Sequence, residues 1–174
     1  MAATNSKGAA RTAGVLVGLH NGTWYVSDVT KGQFDVHEAD QLVMTTAQAD
    51  GRQVLILMEQ EPGSAGKRVI DYYAKALAGF SFHGDRPSGN KTERAKPAVA
   101  ATFNGNVKLV RGTWNHDFVE EAVGFPVGAF KDQIDAWAAG MSWLARTGTP
   151  SLDTGGERRA GSLGRRQGRQ RVIG

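Results

Sequence analysis

The chain has 174 residues, 40% of them hydrophobic, enough for one sizeable core and too few for two independent domains. It has no cysteine, which excludes disulfides and Cys-ligated zinc, and no apolar run of the roughly 18–20 residues that would span a bilayer. With no signal-peptide core at the N-terminus either, a soluble intracellular protein is expected.

Residues 1–12 are small, polar and Gly/Ala-rich and read as a loop. Residues 13–20 look like a strand, Asn21-Gly22 is a strong two-residue hairpin signal, and 23–29 supply the partner strand. Residues 37–50 carry Ala39, Leu42, Val43 and Ala47 at helical spacing, closed by Gly51. Residues 53–58 are an apolar run of buried-strand length, ending in Glu59-Gln60-Glu61 and then Pro62-Gly63. A helix is predicted over 67–78, with Val69, Ile70, Tyr73 and Leu77 on one side, then a short strand over 80–83 and a loop over 84–90. The helical pattern resumes over 91–103, with Ala95, Ala98, Val99 and Ala101 available for packing, and Asn104-Gly105-Asn106 turns into a strand over 107–110. Residues 114–123 suggest a helix with Glu120 and Glu121 outward. A loop follows over 125–128. The last helix spans 131–146, with Ile134, Trp137, Ala138, Met141 and Leu144 inward. A hairpin followed by alternating helices and strands implies an α/β mixed sheet flanked by helices.

The charge is asymmetric. Residues 147–174 hold Arg158, Arg159, Arg165, Arg166, Arg169 and Arg171 against Asp153 and Glu157, a net of +4, whereas residues 1–146 carry 15 basic and 15 acidic groups. The chain thus divides into a neutral folded domain, 1–146, and a Gly/Arg-rich tail, 147–174, expected to be disordered. Such a tail suits a phosphate backbone or an acidic partner surface, and equally a purely solvated role.

Two acidic clusters stand out. Carboxylates at the end of a buried strand are costly unless they are paired, hydrogen-bonded or holding metal, and Glu59 and Glu61 share one strand face. Downstream, Lys131-Asp132-Gln133-Ile134-Asp135 opens the last helix, where Asp132 and Asp135 suit capping and the helix dipole. Together the clusters also supply the oxygen ligands that magnesium or manganese needs. Two such ions about 3.5–4 Å apart serve phosphodiester cleavage.

The segments Glu59-Gln60-Glu61-Pro62-Gly63-Ser64-Ala65-Gly66-Lys67, Lys91-Thr92-Glu93-Arg94-Ala95-Lys96-Pro97, and Phe125-Pro126-Val127-Gly128 leading to Lys131-Asp132-Gln133-Ile134-Asp135-Ala136 resemble the C-terminal nuclease domain of tailed-phage terminase large subunits. Order and spacing match over roughly residues 2–146. The resemblance implies an RNase H-like (RuvC-like) fold and an endonuclease that uses two Mg²⁺ or Mn²⁺ ions to cut double-stranded phage DNA during packaging. It further implies portal and small-subunit partners, no membrane, and the cytoplasm of the bacterial host. By this match Glu61, with Glu59 as the competing choice, is the central-strand acid, Asp132 the helix-start acid and Asp135 its neighbour. In the family a first-strand acid precedes an Ala-Ala-Thr-like segment. Met1-Ala2-Ala3-Thr4 resembles that segment, so the first strand is expected to be truncated and activity impaired. The alternative is a catalytically inactive module of the same fold that docks DNA or portal.

Lys67, Lys91, Arg94 and Lys96 are candidate DNA-phosphate contacts, and a solvated face accounts for them as well. Gly66-Lys67 superficially suggests a phosphate loop, but Glu61 stands where its first Gly belongs and Arg68 where Ser or Thr belongs. His20, His37, His83 and His116 share no ligand spacing, and Trp24, Trp137 and Trp143 read as packing residues.

Overall fold

The hairpin predicted at Asn21-Gly22 sets the frame of the sheet. Both turn residues have positive φ, 51° and 78°, as a two-residue hairpin turn requires. The strands they join, β1 (Ala10–His20) and β2 (Thr23–Phe34), are longer than expected. Residues 10–12, read as loop, belong to β1 because Ala10, Arg11 and Thr12 pair with Phe34, Gln33 and Gly32. A computed structural model describes residues 10–86, 91–147 and 168–173. The remaining elements are α1 (Val36–Asp50), β3 (Leu55–Glu59), α2 (Gly63–Ala76), β4 (Ser81–Asp85), α3 (Lys91–Phe103), β5 (Val107–Leu109), α4 (Asn115–Gly124), α5 (Asp132–Thr147) and β6 (Gly168–Ile173).

The strands form one mixed sheet in the order β4-β3-β6-β1-β2-β5, flanked by helices as the sequence implied. Alternation along β3 divides the core. Leu57 points into the larger cluster with Val15, Val17, Val26, Phe118, Trp137, Met141 and Leu144, against α3, α4 and α5. Ile56 and Met58 point the other way, to Val43, Ala47, Tyr73 and Leu77 of the α1 and α2 side. The predicted inner face of α5 is buried throughout. Val69 and Val99, expected to pack, are exposed; Gly66 and Tyr73 form the buried face of α2, and Ala95 and Ala98 that of α3.

The largest departure is at the C-terminus. Residues 168–173, placed in a disordered tail, are instead a central strand, antiparallel to β1 and parallel to β3. Two neighbours satisfy its backbone, and its side chains alternate. Gln170 and Val172 face α5, and Arg171 and Ile173 face α1. Arg171 is 2% exposed, yet its charge is neutralised by Asp50 at 2.7 Å and Asp28 at 2.9 Å. Arginine content suggested disorder because this pairing is invisible in the sequence. The close seat of α5 on β6 depends on Gly140: a Cβ there would lie 2.6 Å from Val172. Gly140 also offers its carbonyl to the Gln170 amide.

β2 holds one edge of β1 and β6 holds the other. Residues 1–9, with the segment read as the end of a truncated first strand, lie outside the described residues.

Candidate acidic site

The first pair of acids sits where β3 leaves the core. Leu57 is buried toward α5, so Glu59, two residues on, emerges on that same side at the strand's last position. Glu61 lies beyond the strand, in the exposed turn into α2. That turn is tighter than expected, because the helix starts at Gly63 and not at Lys67. It closes only because residue 66 is glycine: a Cβ there would lie 2.1 Å from the Glu61 carbonyl oxygen.

The second pair opens α5, and the geometry removes the reason to treat these acids simply as caps. Glu121 of α4, predicted to face outward, reaches across to the start of α5. Its carboxylate accepts from the backbone N–H of Gln133 at 2.6 Å and of Ile134 at 3.1 Å, and from the Gln133 side chain at 2.6 Å. Orphan donors of the first turn are thereby satisfied from another helix. Asp132 meets Arg11 of β1 at 3.8 Å, and the Arg11 guanidinium lies over the Phe130 ring.

Strand end and helix start meet. Glu59, Glu61, Asp132 and Asp135 line one cavity of about 220 Å³, walled by Ala136 and Ala139 of α5 and by Val172 and Ile173 at the end of β6. Four carboxylates are oxygen donors of the kind a hard divalent cation takes, so the donor set fits Mg²⁺ or Mn²⁺ in chemistry. Among the described residues no group of three or more His, Cys, Asp or Glu is drawn closely enough together to hold a metal. Asp132 is engaged with Arg11, and Glu59 with Arg94 Nη1 at 3.0 Å.

Of the basic candidates, Arg94 turns its guanidinium to Glu59 and is only 12% exposed. Lys67 is exposed on α2, and Lys96 is exposed and paired with Glu93 at 3.4 Å. The side chain of Lys91 lies outside the described residues. Neither Lys67 nor Lys96 lines the acidic cavity. Asp85, which sequence reasoning passed over, stands beside Glu59 in register at the end of β4 and binds Arg146 at 3.1 Å. Its position at the tip of a strand parallel to β3 was the available signal. The tryptophans pack in or against the larger core cluster, as expected.

A family model described as a terminase RNaseH-like domain matches residues 4–142. No curated protein and no solved structure matches the chain. The matched span contains the hairpin, β3 and all four acids of the cavity, and it stops short of β6.

Proposed function

The chain belongs to the terminase RNaseH-like domain family, and from that premise we propose that it is a metal-dependent DNA endonuclease domain of a phage packaging terminase large subunit. Its six-stranded mixed sheet flanked by helices is consistent with the RNase H-like fold. The observation that carries the proposal is the meeting of the β3-end acids with the α5-start acids in one cavity. Glu61, Asp132 and Asp135 would hold the ions, with Glu59 as the competing strand-end acid. When bound, two Mg²⁺ or Mn²⁺ ions supply an activated water and stabilisation of the leaving oxygen in phosphodiester hydrolysis.

The chain's own residues do the rest. The carboxylates concentrate negative charge where β3 and β6 end, and Ala136, Ala139, Val172 and Ile173 give that cavity an apolar back wall. Glu121 fixes the start of α5 and therefore the placement of Asp132. Lys67, Lys91, Lys96 and Arg94 are the proposed contacts for double-stranded DNA phosphates. Portal and small terminase subunit are the proposed partners and the host cytoplasm the proposed setting. No helix among the described residues is long and apolar enough to cross a membrane.

The test is nicking of supercoiled plasmid in Mn²⁺ by the chain and by Asp132→Ala. Wild-type nicking that disappears in the variant is the expected result, and nicking that survives in Asp132→Ala sinks the assignment. A second reading, a non-catalytic module that docks DNA or portal, is favoured by the spread of the four acids and their arginine partners. It predicts a folded chain that takes up no Mn²⁺.

A further inference from the structure

Strand β6 joins two halves of the sheet. In the order β4-β3-β6-β1-β2-β5 it alone stands between the parallel pair β3–β4 and the group β1–β2–β5, hydrogen-bonded to both. Its strand partners lie far back in the chain, Gly14 to Leu19 on one side and Leu55 to Met58 on the other. The side chains around it, Asp28, Asp50 and Gly140, come from three further places.

The rest of the fold relies on β6 rather little for its apolar core. Of the fifteen buried residues in the larger cluster β6 supplies only Val172, and of the seven in the smaller one only Ile173. The two halves of the sheet also have other ties. Leu57 of β3 is buried among residues of β1, β2 and α5, Glu59 is paired with Arg94 of α3, and Asp85 of β4 with Arg146 of α5. What surrounds β6 is a set of receptors for individual side chains. Asp28 on β2 and Asp50 at the end of α1 converge on the Arg171 guanidinium, and the Gly140 carbonyl accepts from the Gln170 amide. Gly140 also leaves the space that Val172 fills. With the strand gone, two carboxylates would face one gap, and only a cation on an incoming strand compensates both.

We propose that the cleft between β1 and β3 is a peptide-recognition site. Its ligand is an extended strand that hydrogen-bonds along both edges and carries arginine at the position of Arg171. β6 is the chain's own copy of that ligand, and it leaves and returns while the remainder stays folded. Recognition is of the strand-addition kind: main-chain bonds supply affinity, and alternate side chains supply specificity. A strand tethered to its cleft is present there at an effective concentration on the order of millimolar, which favours the chain's own β6 over that of a second copy. Val172 and Ile173 form part of the wall of the acidic cavity, so the cavity is complete only while the cleft is filled. This holds whether or not the chain cuts DNA.

Native-state hydrogen exchange on the full-length chain reads the opening directly. The amides of β6, and the β3 amides bonded to them, are expected to exchange at least about tenfold faster than those shared by β1 and β2. Equal protection across β6, β1 and β2 overturns the proposal. A second measurement tests recognition. A protease site is placed between Thr147 and Gly168 of the full-length chain and cut, and an excess of fluorescein-labelled peptide carrying residues 164–174 is added. Anisotropy follows binding and circular dichroism follows folding. The peptide is expected to bind, the same peptide with Arg171→Met to compete at least about thirtyfold less well, and that preference to shrink in a chain with Asp50→Leu. The proposal is overturned if the cut chain unfolds, if the peptide does not exchange in, or if the arginine and methionine peptides bind alike. Uncut chain that is a dimer by light scattering, and a monomer once cut and supplied with peptide, overturns the choice of the chain's own strand as the occupant. Should Asp50→Leu fail to fold, the peptide ranking in the unsubstituted chain decides alone.

Discussion

Each face of the sheet holds an arginine, buried on one side and partly buried on the other, and the two are treated differently. On the α1 and α2 face, Arg171 is engaged on nearly every side: Asp50 takes two of its donors, Asp28 a third, and the Gly14 carbonyl lies near a fourth. Burial alone would lower its pKa, but the hydrogen bonds and charges of Asp50 and Asp28 prevail and raise it. On the α3–α5 face, Arg94 has one carboxylate, itself 39% exposed, and a buried N–H with no acceptor. Tyr73 extends the contrast. Its hydroxyl bonds Asp40 at 2.6 Å and, with Tyr72 on the other oxygen, closes the α1–α2 contact as Arg171 closes the sheet beneath it.

The contrast breaks or sharpens first at Arg171. Arg171→Met keeps the stem's packing and strands Asp50 in the interior. Removing one partner of a buried pair typically costs about 3–5 kcal/mol, and the lower end applies because Asp28 is 44% exposed. Urea unfolding should show the lost midpoint with an unchanged slope, and the double change with Asp50→Leu should recover most of it. A loss near zero would mean that β6 is not held by this network.

Next in size is Glu121→Ala, on the cavity side. It deprives the first turn of α5 of its acceptor and should cost about 1–2 kcal/mol, the range of a lost N-terminal cap. Because that turn carries Asp132 and Asp135, Mn²⁺ affinity should fall with it. A loss of stability with unchanged metal affinity would separate the cap from the site.

Tyr73 supplies the pH dependence. Burial and its bond to Asp40 raise its pKa well above the usual tyrosine value of 10. A raised folded-state pKa gives stability that is complete below the unfolded pKa and is lost as pH climbs above it. The window therefore opens near pH 10, where the unfolded chain begins to release a proton that the folded chain retains. Tyr73→Phe should cost about 1 kcal/mol at neutral pH. Wild type should then lose about 1.4 kcal/mol per pH unit above 10 from this group, so the two proteins converge by about pH 11. Parallel stability curves through that range would show that Tyr73 is not buried on Asp40.

What could be read beforehand was whatever local pattern determines. The Asn21-Gly22 turn, the 91–103 helix and the inner stripe of α5 all follow from residues close in sequence. The acids at the strand end and the helix start were legible for the same reason, since strand burial and helix starts announce themselves locally. What depended on distant partners was not. A Gly-Arg-Gln-Arg segment looks disordered until Asp28 and Asp50, more than a hundred residues earlier, cancel one arginine. Glu121 looked solvated because its donors lie on the next helix, and nothing near Arg94 in sequence predicts its pairing with Glu59. The start of α2 was placed late because Gly63-Ser64 ordinarily break a helix, whereas here the close approach at Gly66 lets the first turn form.

The smallest effect is the one on which the comparison turns. Arg94→Met removes one hydrogen bond and a partly screened ion pair, and it also removes a buried N–H that had no acceptor. Glu59, left behind, is exposed enough to be hydrated. The loss is offset on both counts, so the net change in unfolding free energy should be below about 1 kcal/mol. Arg171→Met, a chemically identical change on the opposite face, should cost several times more. Measured side by side in urea, equal losses would make Arg94 a second structural tie. A near-neutral result would mark the Arg94–Glu59 pair as a partly exposed ion pair that adds little to the fold.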